Sequence, residues 1–512
     1  MSVDLTKLPA EVRQAFESLR AEVASKDALL KLQEEKIRLL NLRIWGPKSE
    51  KISPAQTALL FEEASVMAGE VEKEAALPET ARANPQPRVR GARADHPGRE
   101  KFSAHLERRE QIMACHPDDC RCAKCGAERP VLGYETREEL VCEPATFYVR
   151  VVKREKRGSH CLPEQGVATA SAPMQIVPKG KLSNEFIIEA LAQKYQQHLP
   201  VYRQCAVLAN NHGIEVDRAT LTSAILAAGA LLSAVVRAQA QELMQGTYLQ
   251  ADETTTPVQT GEGNGRNHRA YIWQYSRPRG PVVFDFQMGR GRDGPKKFLQ
   301  NFRGKLQCDG YSAYADLGDG IVYLGCMAHV RRGFVEAAKL APDDPLPREM
   351  VETIGQLYAV EKTAREANLD DAGRLALRQS QSVPIMTRLK LRWTEIRQKL
   401  PPGGALAKAC AYALGQWNRL EPIFTDGMVE IDNNWCEGAM RPLVLGRRNW
   451  LHIGRPEAGP KVAAIASIVE TCRRLHINLR NYLTAVLPKL GDWPANQVAE
   501  LTPTAWKAAQ KS

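Results

Sequence analysis

The chain has 512 residues, 44% hydrophobic and 25% charged, and its 70 Lys and Arg against 59 Asp and Glu leave a net charge of +11. That length holds a buried core and two to four domains, and the ordinary mix of apolar and charged residues excludes a disordered or fibrous chain. The positive balance points to a polyanionic partner and says nothing about the fold.

There are 12 cysteines. Half are scattered singly (Cys205, Cys308, Cys326, Cys410, Cys436, Cys472), which suits a reducing compartment and not a secreted disulfide frame. With no opening signal peptide and no run of about 18 apolar residues, the expected location is cytoplasmic, without a membrane partner. The most apolar helix, near Leu221 to Val236, is expected to be too short to span.

Residues 1–47 carry Phe16, Leu19, Val23, Lys26, Leu30, Gln33, Ile37, Leu40 and Ile44 in alternating steps of three and four. That is a coiled-coil, leucine-zipper-like seam; a single amphipathic helix docked on its own body has the same pattern. Trp45-Gly46-Pro47 ends the helix. Residues 48–105 read as a basic, Pro- and Ala-rich linker.

Residues 106–175 form a zinc-ribbon-like module. Cys122 and Cys125, with a two-residue spacer between them and Gly126 behind, can reach one Zn²⁺, with Cys161 and either His160 or Cys120 completing the set. Glu164 stands where a ribbon would place its last cysteine. Strands are expected at Glu138 to Cys142 and Ala145 to Lys153.

Residues 176–245 read as helices over Leu182 to His198, Val201 to Asn211 and Arg218 to Leu232. Asp217 is a good N-cap, and the Gly-containing turn before it gives a helix-turn-helix-like outline for DNA; plain helical packing is the other reading. Arg203 and Arg218 are placed to touch phosphate.

Residues 246–340 change character. Strands are expected at Thr247 to Thr254, Ala270 to Tyr275, Val282 to Gln287, Lys305 to Tyr311 and Ile321 to Gly325, with a helix starting at Cys326. Two strands therefore end in an acid, Asp252 and Asp309. Residues 341–425 form a helical insertion (Glu349 to Ala367, Ala372 to Lys399, Leu406 to Leu420) in which Pro384 should kink or split the second helix. Residues 426–475 complete the core, with a helix capped by Asp432, Asn433 or Asn434 and bearing Glu437. Residues 476–512 are a helical tail.

Asp252, Asp309 and Glu437 can converge on a pair of divalent cations; hard oxygen ligands suit Mg²⁺ or Mn²⁺ and in-line displacement at phosphorus. Glu253 competes with Asp252, but successive strand residues face opposite sides, so only one can serve. Asp432 is the fallback for Glu437. Arg331, Arg332, Arg441, Arg447 and Arg448 are the candidate DNA-binding cations. His329, at a helix start, is structural or touches the scissile phosphate or orients the attacking water.

Seven pieces in order carry a family resemblance: the zipper ending Trp45-Gly46-Pro47-Lys48-Ser49-Glu50-Lys51; Cys122 with Cys125; Ala251-Asp252-Glu253-Thr254; Asp309-Gly310-Tyr311; Cys326-Met327-Ala328-His329-Val330-Arg331-Arg332; Asp432-Asn433-Asn434 with Glu437; and Gly446-Arg447-Arg448-Asn449-Trp450-Leu451. The chain resembles the insertion-sequence-66 family of bacterial transposases over nearly its whole length. The resemblance implies an α/β fold with an RNase H-like mixed-sheet core, a DDE triad, a helical insertion before the glutamate and a Cys-x-x-His element, here Cys326 and His329. It implies double-stranded DNA (terminal repeats and target) as partner and small accessory proteins encoded by the same element; because two active sites must act on two DNA ends, a homodimer or higher oligomer is expected, with the heptad seam as its contact. Gly438 stands where the family has Arg, and His452 where it tends to have Phe. Two other readings stay open: a non-catalytic DNA-binding protein, and a metal-dependent nuclease without strand transfer.

Overall fold

The computed structural model describes residues 10–45, 146–158, 167–261 and 267–510. These fall into two units, divided at residues 71/72 and 170/171. Cys122, Cys125, His160, Cys161 and the linker lie outside the described residues.

In the smaller unit, β1 (Lys156–Gly158) pairs antiparallel with β2 (Val167–Thr169). Residues 146–153 are not a strand. Their alternation is real, but among the described residues no neighbouring strand takes up their hydrogen bonds. Val149 and Val151 are 89% and 73% exposed, and an alternating pattern without a partner forms no ladder.

In the larger unit, α1 (Ala10–Trp45) is one continuous helix. Phe16, Leu19, Val23, Leu30 and Ile37 of its seam are all exposed. The helix touches the rest of the unit near its C-terminal end, where Arg38 Nη1 donates to Leu340 O (3.0 Å) and Glu35 accepts from Ala405 N (3.0 Å).

Three helices follow: α2 (Asn184–Tyr195), α3 (Val201–His212) and α4 (Arg218–Met244). Gly213, at φ +63°, closes α3 in the left-handed conformation that glycine adopts without strain. Asp217 caps α4 as expected, accepting from Thr220 N at 2.8 Å. At 27 residues α4 runs past Leu232 and is long and apolar enough to cross a membrane, by length and composition alone. This corrects the expectation of a helix too short to span. Its apolar stripe (Leu221, Ile225, Leu232, Val235, Leu243) is fully buried in the core.

The sheet has the order β5-β4-β3-β6-β7, built from β3 (Tyr248–Val258), β4 (His268–Ser276), β5 (Val282–Gln287), β6 (Gly304–Gln307) and β7 (Ile321–Leu324). β3, β4 and β5 run antiparallel, while β6 and β7 run parallel to β3. A short helix, α5 (Asp293–Phe298), joins β5 to β6. The chain then continues through α6 (Met327–Leu340) into the helical block.

That block is α7 (Pro345–Glu366), α8 (Asp371–Leu377), a π-turn (Arg378–Ser382), α9 (Val383–Lys399), α10 (Ala405–Gly415) and α11 (Trp417–Leu420). Pro384 does not break the expected helix: residues 371–399 stay helical, and a π-turn at Arg378–Ser382 stands just before the proline in the first turn of α9. The block has its own core around Trp393, Phe334 and Leu389. The buried Arg378 donates to Glu361 Oε1 at 2.6 Å, and Arg374 bridges Glu361 and Glu430 at 2.7 Å each. This ion network ties the block to the segment that leads into α12 (Asn434–Trp450).

After α12 the chain returns to the sheet: Ile453 N donates to Pro257 O (2.9 Å) and accepts through its carbonyl from Gln259 N (2.9 Å). α13 (Gly459–Arg474) then packs on α4 and β5. Gly229 of α4 permits the close approach, since a Cβ there would lie 2.8 Å from Lys461 O. The hydroxyls of Ser467 and Thr471 accept from Phe284 N (2.8 Å) and Val282 N (3.0 Å), so α13 satisfies donors of the edge strand β5. The short helices α14 (Leu479–Val486) and α15 (Pro503–Ala509) close the chain.

Candidate active site

The last parallel pair between β3 and β6 is Gln250 with Gln307. Asp252 and Asp309 each lie two residues further along. Because side chains alternate with a period of two, that spacing gives both acids the face of their glutamines. The glutamines confirm the shared face, with Gln250 Nε2 donating to Gln307 Oε1 at 2.9 Å. Asp252 does not end its strand as expected, because pairing with β4 carries β3 on to Val258. It ends only the parallel ladder.

Asp309 Oδ1 accepts from Tyr311 N (3.0 Å), which turns the chain. Gly310 leaves room for the insertion: a Cβ there would lie 2.8 Å from Gln416 Nε2 and 3.3 Å from Tyr412 Oη. Glu253 faces away from Asp252. It is held by Arg290 (Nη2, 2.6 Å) and by the Tyr314 hydroxyl, which donates at 2.8 Å.

Glu437 enters on the first turn of α12, and the buried amide of Gln250 docks that turn on β3. Gln250 Nε2 donates to Asp432 O (2.8 Å), and Cys436 N donates to Gln250 Oε1 (3.1 Å). Asn433 adds two bonds, donating from Nδ2 to Ala251 O (3.0 Å) and from its backbone N to Cys326 Sγ (3.3 Å). Nothing in a residue's own neighbourhood marks Gln250 and Gln307 as special. The signal available was a repeat: Gln250-Ala-Asp252 and Gln307-Cys-Asp309 share the pattern Gln-x-Asp.

The Glu437 carboxylate lies 3.6 Å from His329 Nδ1 and 3.7 Å from Arg332 Nη2. Cys326, His329 and Glu437 each offer a ligand atom, all within 4.8 Å of one another. The two aspartates are not members of that tight group. Burial pushes the Asp252 carboxyl well above its usual range, and the charges of Glu437, Glu253 and Asp309 push it the same way. Burial lowers His329, against the pull of Glu437. It raises the Cys326 thiol, as do Asp432 and Glu437.

A divalent cation fits these residues. Glu437, Glu253 and Asp309 crowd Asp252 with negative charge, and both Glu437 Oε1 and His329 Nδ1 are buried with no hydrogen-bond partner. A hard cation suits the oxygens better than the protonated, hydrogen-bonded thiol.

Asp432 accepts from Asn434 N (3.1 Å) and Asn434 Nδ2 (3.0 Å) at the start of α12. Burial pushes its carboxyl up to about 7. An acid whose pKa rises on folding contributes stability that is present below about 4 and lost as pH rises through about 7. Asp432→Asn is therefore expected to match the unaltered chain near pH 4 and to exceed it at pH 8. The gain is on the order of 4 kcal/mol at most, at about 1.36 kcal/mol per pKa unit. Thermal melts across that range check it; parallel curves would refute it.

Of the candidate cations, Arg331 and Arg332 lie in the first turns of α6, with Arg332 beside Glu437. Arg441 is in mid-α12, and Arg447 and Arg448 are in its last turn.

Comparison with known proteins gives three family models on this chain: "Transposase IS66 family" over residues 179–461, "Transposase C of IS166 homeodomain" over 32–110, and "IS66 C-terminal element" over 467–504. The uncharacterized protein y4qI of Sinorhizobium fredii is 30% identical over 95% of this chain and 92% of its own. Its companion y4jD is 28% identical over 100% and 99%. Among solved structures, the Drosophila P element transposase strand transfer complex aligns with a TM-score of 0.30 and 13% identity, covering 58% of this chain and 94% of that one.

Proposed function

Because the chain belongs to the IS66 family of transposases, we propose that it cuts DNA at insertion-sequence ends and joins it to a target by in-line phosphoryl transfer. The acids are Asp252, Asp309 and Glu437 on an RNase H-like core. The observation that supports this is the register: Asp252 and Asp309 each lie two residues past the last parallel pair of β3 and β6, and Gln250 docks the glutamate's helix on the same strand. The mixed five-strand sheet with a helical insertion before Glu437 supports the same core.

When bound, a pair of Mg²⁺ or Mn²⁺ ions supplies activation of the attacking hydroxyl and charge for the leaving oxygen. Asp252, Asp309 and Glu437 would hold them. His329, with an unpartnered Nδ1 toward Glu437, touches the scissile phosphate or orients the attacking water. Cys326 packs, since this displacement needs no thiolate. Arg331, Arg332, Arg441, Arg447 and Arg448 take DNA phosphates, which fix register on the duplex without reading its sequence.

Two DNA ends require two sites, so the chain acts as a homodimer or higher oligomer, with the exposed seam of α1 as its contact. Accessory proteins of the same element, a structural Zn²⁺ on Cys122, Cys125, Cys161 and His160, and a cytoplasmic, nucleoid-associated location belong to the same proposal.

The test is a joining assay on DNA carrying the element's ends. Mg²⁺-dependent nicking at the ends and transfer of the freed 3′-hydroxyl to a plasmid are expected. Salt-sensitive binding with no cleavage in Mg²⁺ or Mn²⁺ would leave the non-catalytic reading. Cleavage without transfer would leave the nuclease.

A further inference from the structure

We infer that Arg290 is a positioning residue for the metal-holding aspartates: its side chain ties Glu253 to Tyr311, and through their backbones it fixes the Asp252 carboxylate relative to that of Asp309. What the two aspartates hold is taken from the proposed function; the contacts stand without it.

Each aspartate leans on the backbone of a near neighbour. Asp252 Oδ1 accepts from Glu253 N at 2.8 Å, and Asp309 Oδ1 accepts from Tyr311 N at 3.0 Å. The aim of both carboxylates therefore depends on where Glu253 and Tyr311 are held. Arg290 holds both. Its Nε and Nη2 donate to Glu253 Oε1 at 3.0 and 2.6 Å. Its guanidinium carbon lies 3.7 Å from the ring centre of Tyr311, close enough for a cation to be drawn to the ring face. Tyr311 returns the contact, donating from Oη to Arg290 O at 3.1 Å. The Tyr314 hydroxyl closes the circuit on Glu253 Oε2 at 2.8 Å.

Sheet order makes this tie a long-range one. β4 lies between β5 and β3, and β6 follows β3. Arg290 comes three residues after the end of β5, Glu253 is in β3, and Tyr311 comes four residues after the end of β6. The side chain thus reaches from the edge strand past Tyr271 of β4, whose ring centre is 6.0 Å away, to β3 and to the turn beyond β6. The parallel pairing of β3 with β6 stops at Gln250 and Gln307, two residues short of each acid. Past that point side chains must keep one acid in place against the other. Arg292, two residues on, fastens the same loop to the same turn again, donating from Nη2 to Ser312 O at 3.2 Å.

The residue type fits the role. An exposed ion pair contributes little, but here the Glu253 side chain is only 3% exposed while Arg290 is 44% exposed. A planar guanidinium can close two N–H groups on a carboxylate and lie on a ring at the same time; a lysine ammonium supplies the charge without that geometry. Groups that orient metal ligands from behind commonly change metal affinity or activity about 10- to 100-fold when removed.

The test is Mn²⁺ binding by the full chain with duplex present, followed by electron paramagnetic resonance of the free ion, beside the Mg²⁺ dependence of cleavage. Arg290→Ala and Tyr311→Leu should each weaken Mn²⁺ binding on the order of tenfold and raise the Mg²⁺ needed for half-maximal cleavage by a similar factor. Most of the rate should return at saturating Mg²⁺. Tyr311→Phe keeps the ring under the guanidinium and should stay near the unaltered chain. Arg290→Lys keeps the charge without the fork and should fall between. Glu253→Gln retains an acceptor oxygen for Arg290 and should loosen the tie less than Arg290→Ala. Asp309→Ala marks the loss when a ligand itself is removed.

Unchanged Mn²⁺ binding and Mg²⁺ dependence in Arg290→Ala and Tyr311→Leu would overturn the inference, even if both variants melt lower, since the contacts would then serve stability alone. So would an Arg290→Ala chain that loses duplex affinity and about one unit of salt slope with its metal dependence intact, because Arg290 would then be a phosphate contact. If the variants lose Mn²⁺ but the unaltered chain does not cleave, the tie stands and the transposition chemistry falls. If all of them bind the ion and cleave alike, the chemistry stands and the tie falls. No Mn²⁺ binding by the unaltered chain removes both.

Discussion

Asp309→Ala and Asp252→Ala are each expected to lower Mg²⁺-dependent strand cleavage on the order of 10³-fold or more, with duplex affinity held within about twofold. The separation follows from what each acid does. Both lie just past the last parallel pair of β3 and β6, where burial first and the neighbouring carboxylates second push Asp252 well above its ordinary range. On the proposed function, removing either deletes a ligand for the cations that would carry the reaction. DNA affinity arises elsewhere, from lysines and arginines that displace counterions, so neutralising an acid does not weaken it. Glu253→Gln is the informative neighbour. Glu253 is occupied by Arg290 and Tyr314 on the other side of β3, so most of the cleavage should survive. Single-turnover cleavage of end-bearing DNA decides it. Near-normal rates in Asp309→Ala would remove the triad.

The second large effect is expected at a residue that touches no substrate. Gln250 is fully buried, and its amide serves Tyr248 Oη (3.0 Å), Gln307 Oε1 (2.9 Å), Asp432 O (2.8 Å) and Cys436 N (3.1 Å). Gln250→Met keeps the volume and removes every one of these bonds. It orphans the Asp432 carbonyl and leaves the Cys436 N–H with its bond to Asn433 O (2.9 Å), so a loss of roughly 1–3 kcal/mol is expected. In the fraction that folds, the first turn of α12 is no longer pinned to β3, and Glu437 shifts relative to Asp252. Cleavage at saturating DNA should fall with the stability, while affinity stays. Urea unfolding and single-turnover rates measured together check both parts. A loss below 1 kcal/mol would mean that the amide is not the clamp.

The two effects differ in kind. The aspartates have little structural role beyond their own turns, so their loss reads out in chemistry. Gln250 reads out first in folding, because it spans residues 182 to 186 positions apart. A similar economy appears at the block's root, where Glu361, Arg374, Arg378 and Glu430 form a closed ion network. Each buried charge there is paired, as the desolvation cost requires.

Much of the molecule was legible without coordinates wherever the cause is local. Val282 to Gln287 alternates and is a strand with those bounds. Asp217 has the short acceptor a helix start needs, and it caps. Pro384 lacks an N–H, and the helix that holds it carries a π-turn just before it. Asp252, Asp309 and Glu437 were singled out by strand ends, a helix start and a family pattern. Tertiary structure alone decided what depends on a partner far along the chain. It carried β3 past Asp252 by pairing with β4, withheld a ladder from residues 146–153, and extended α4 because its stripe had a core to fill. It set Gln250 against Asp432 and brought Lys194 over Trp450. Propensity and capping act over a few bonds and are written in neighbouring residues. Register, burial and unpaired charge are properties of surfaces that exist only once distant segments have packed.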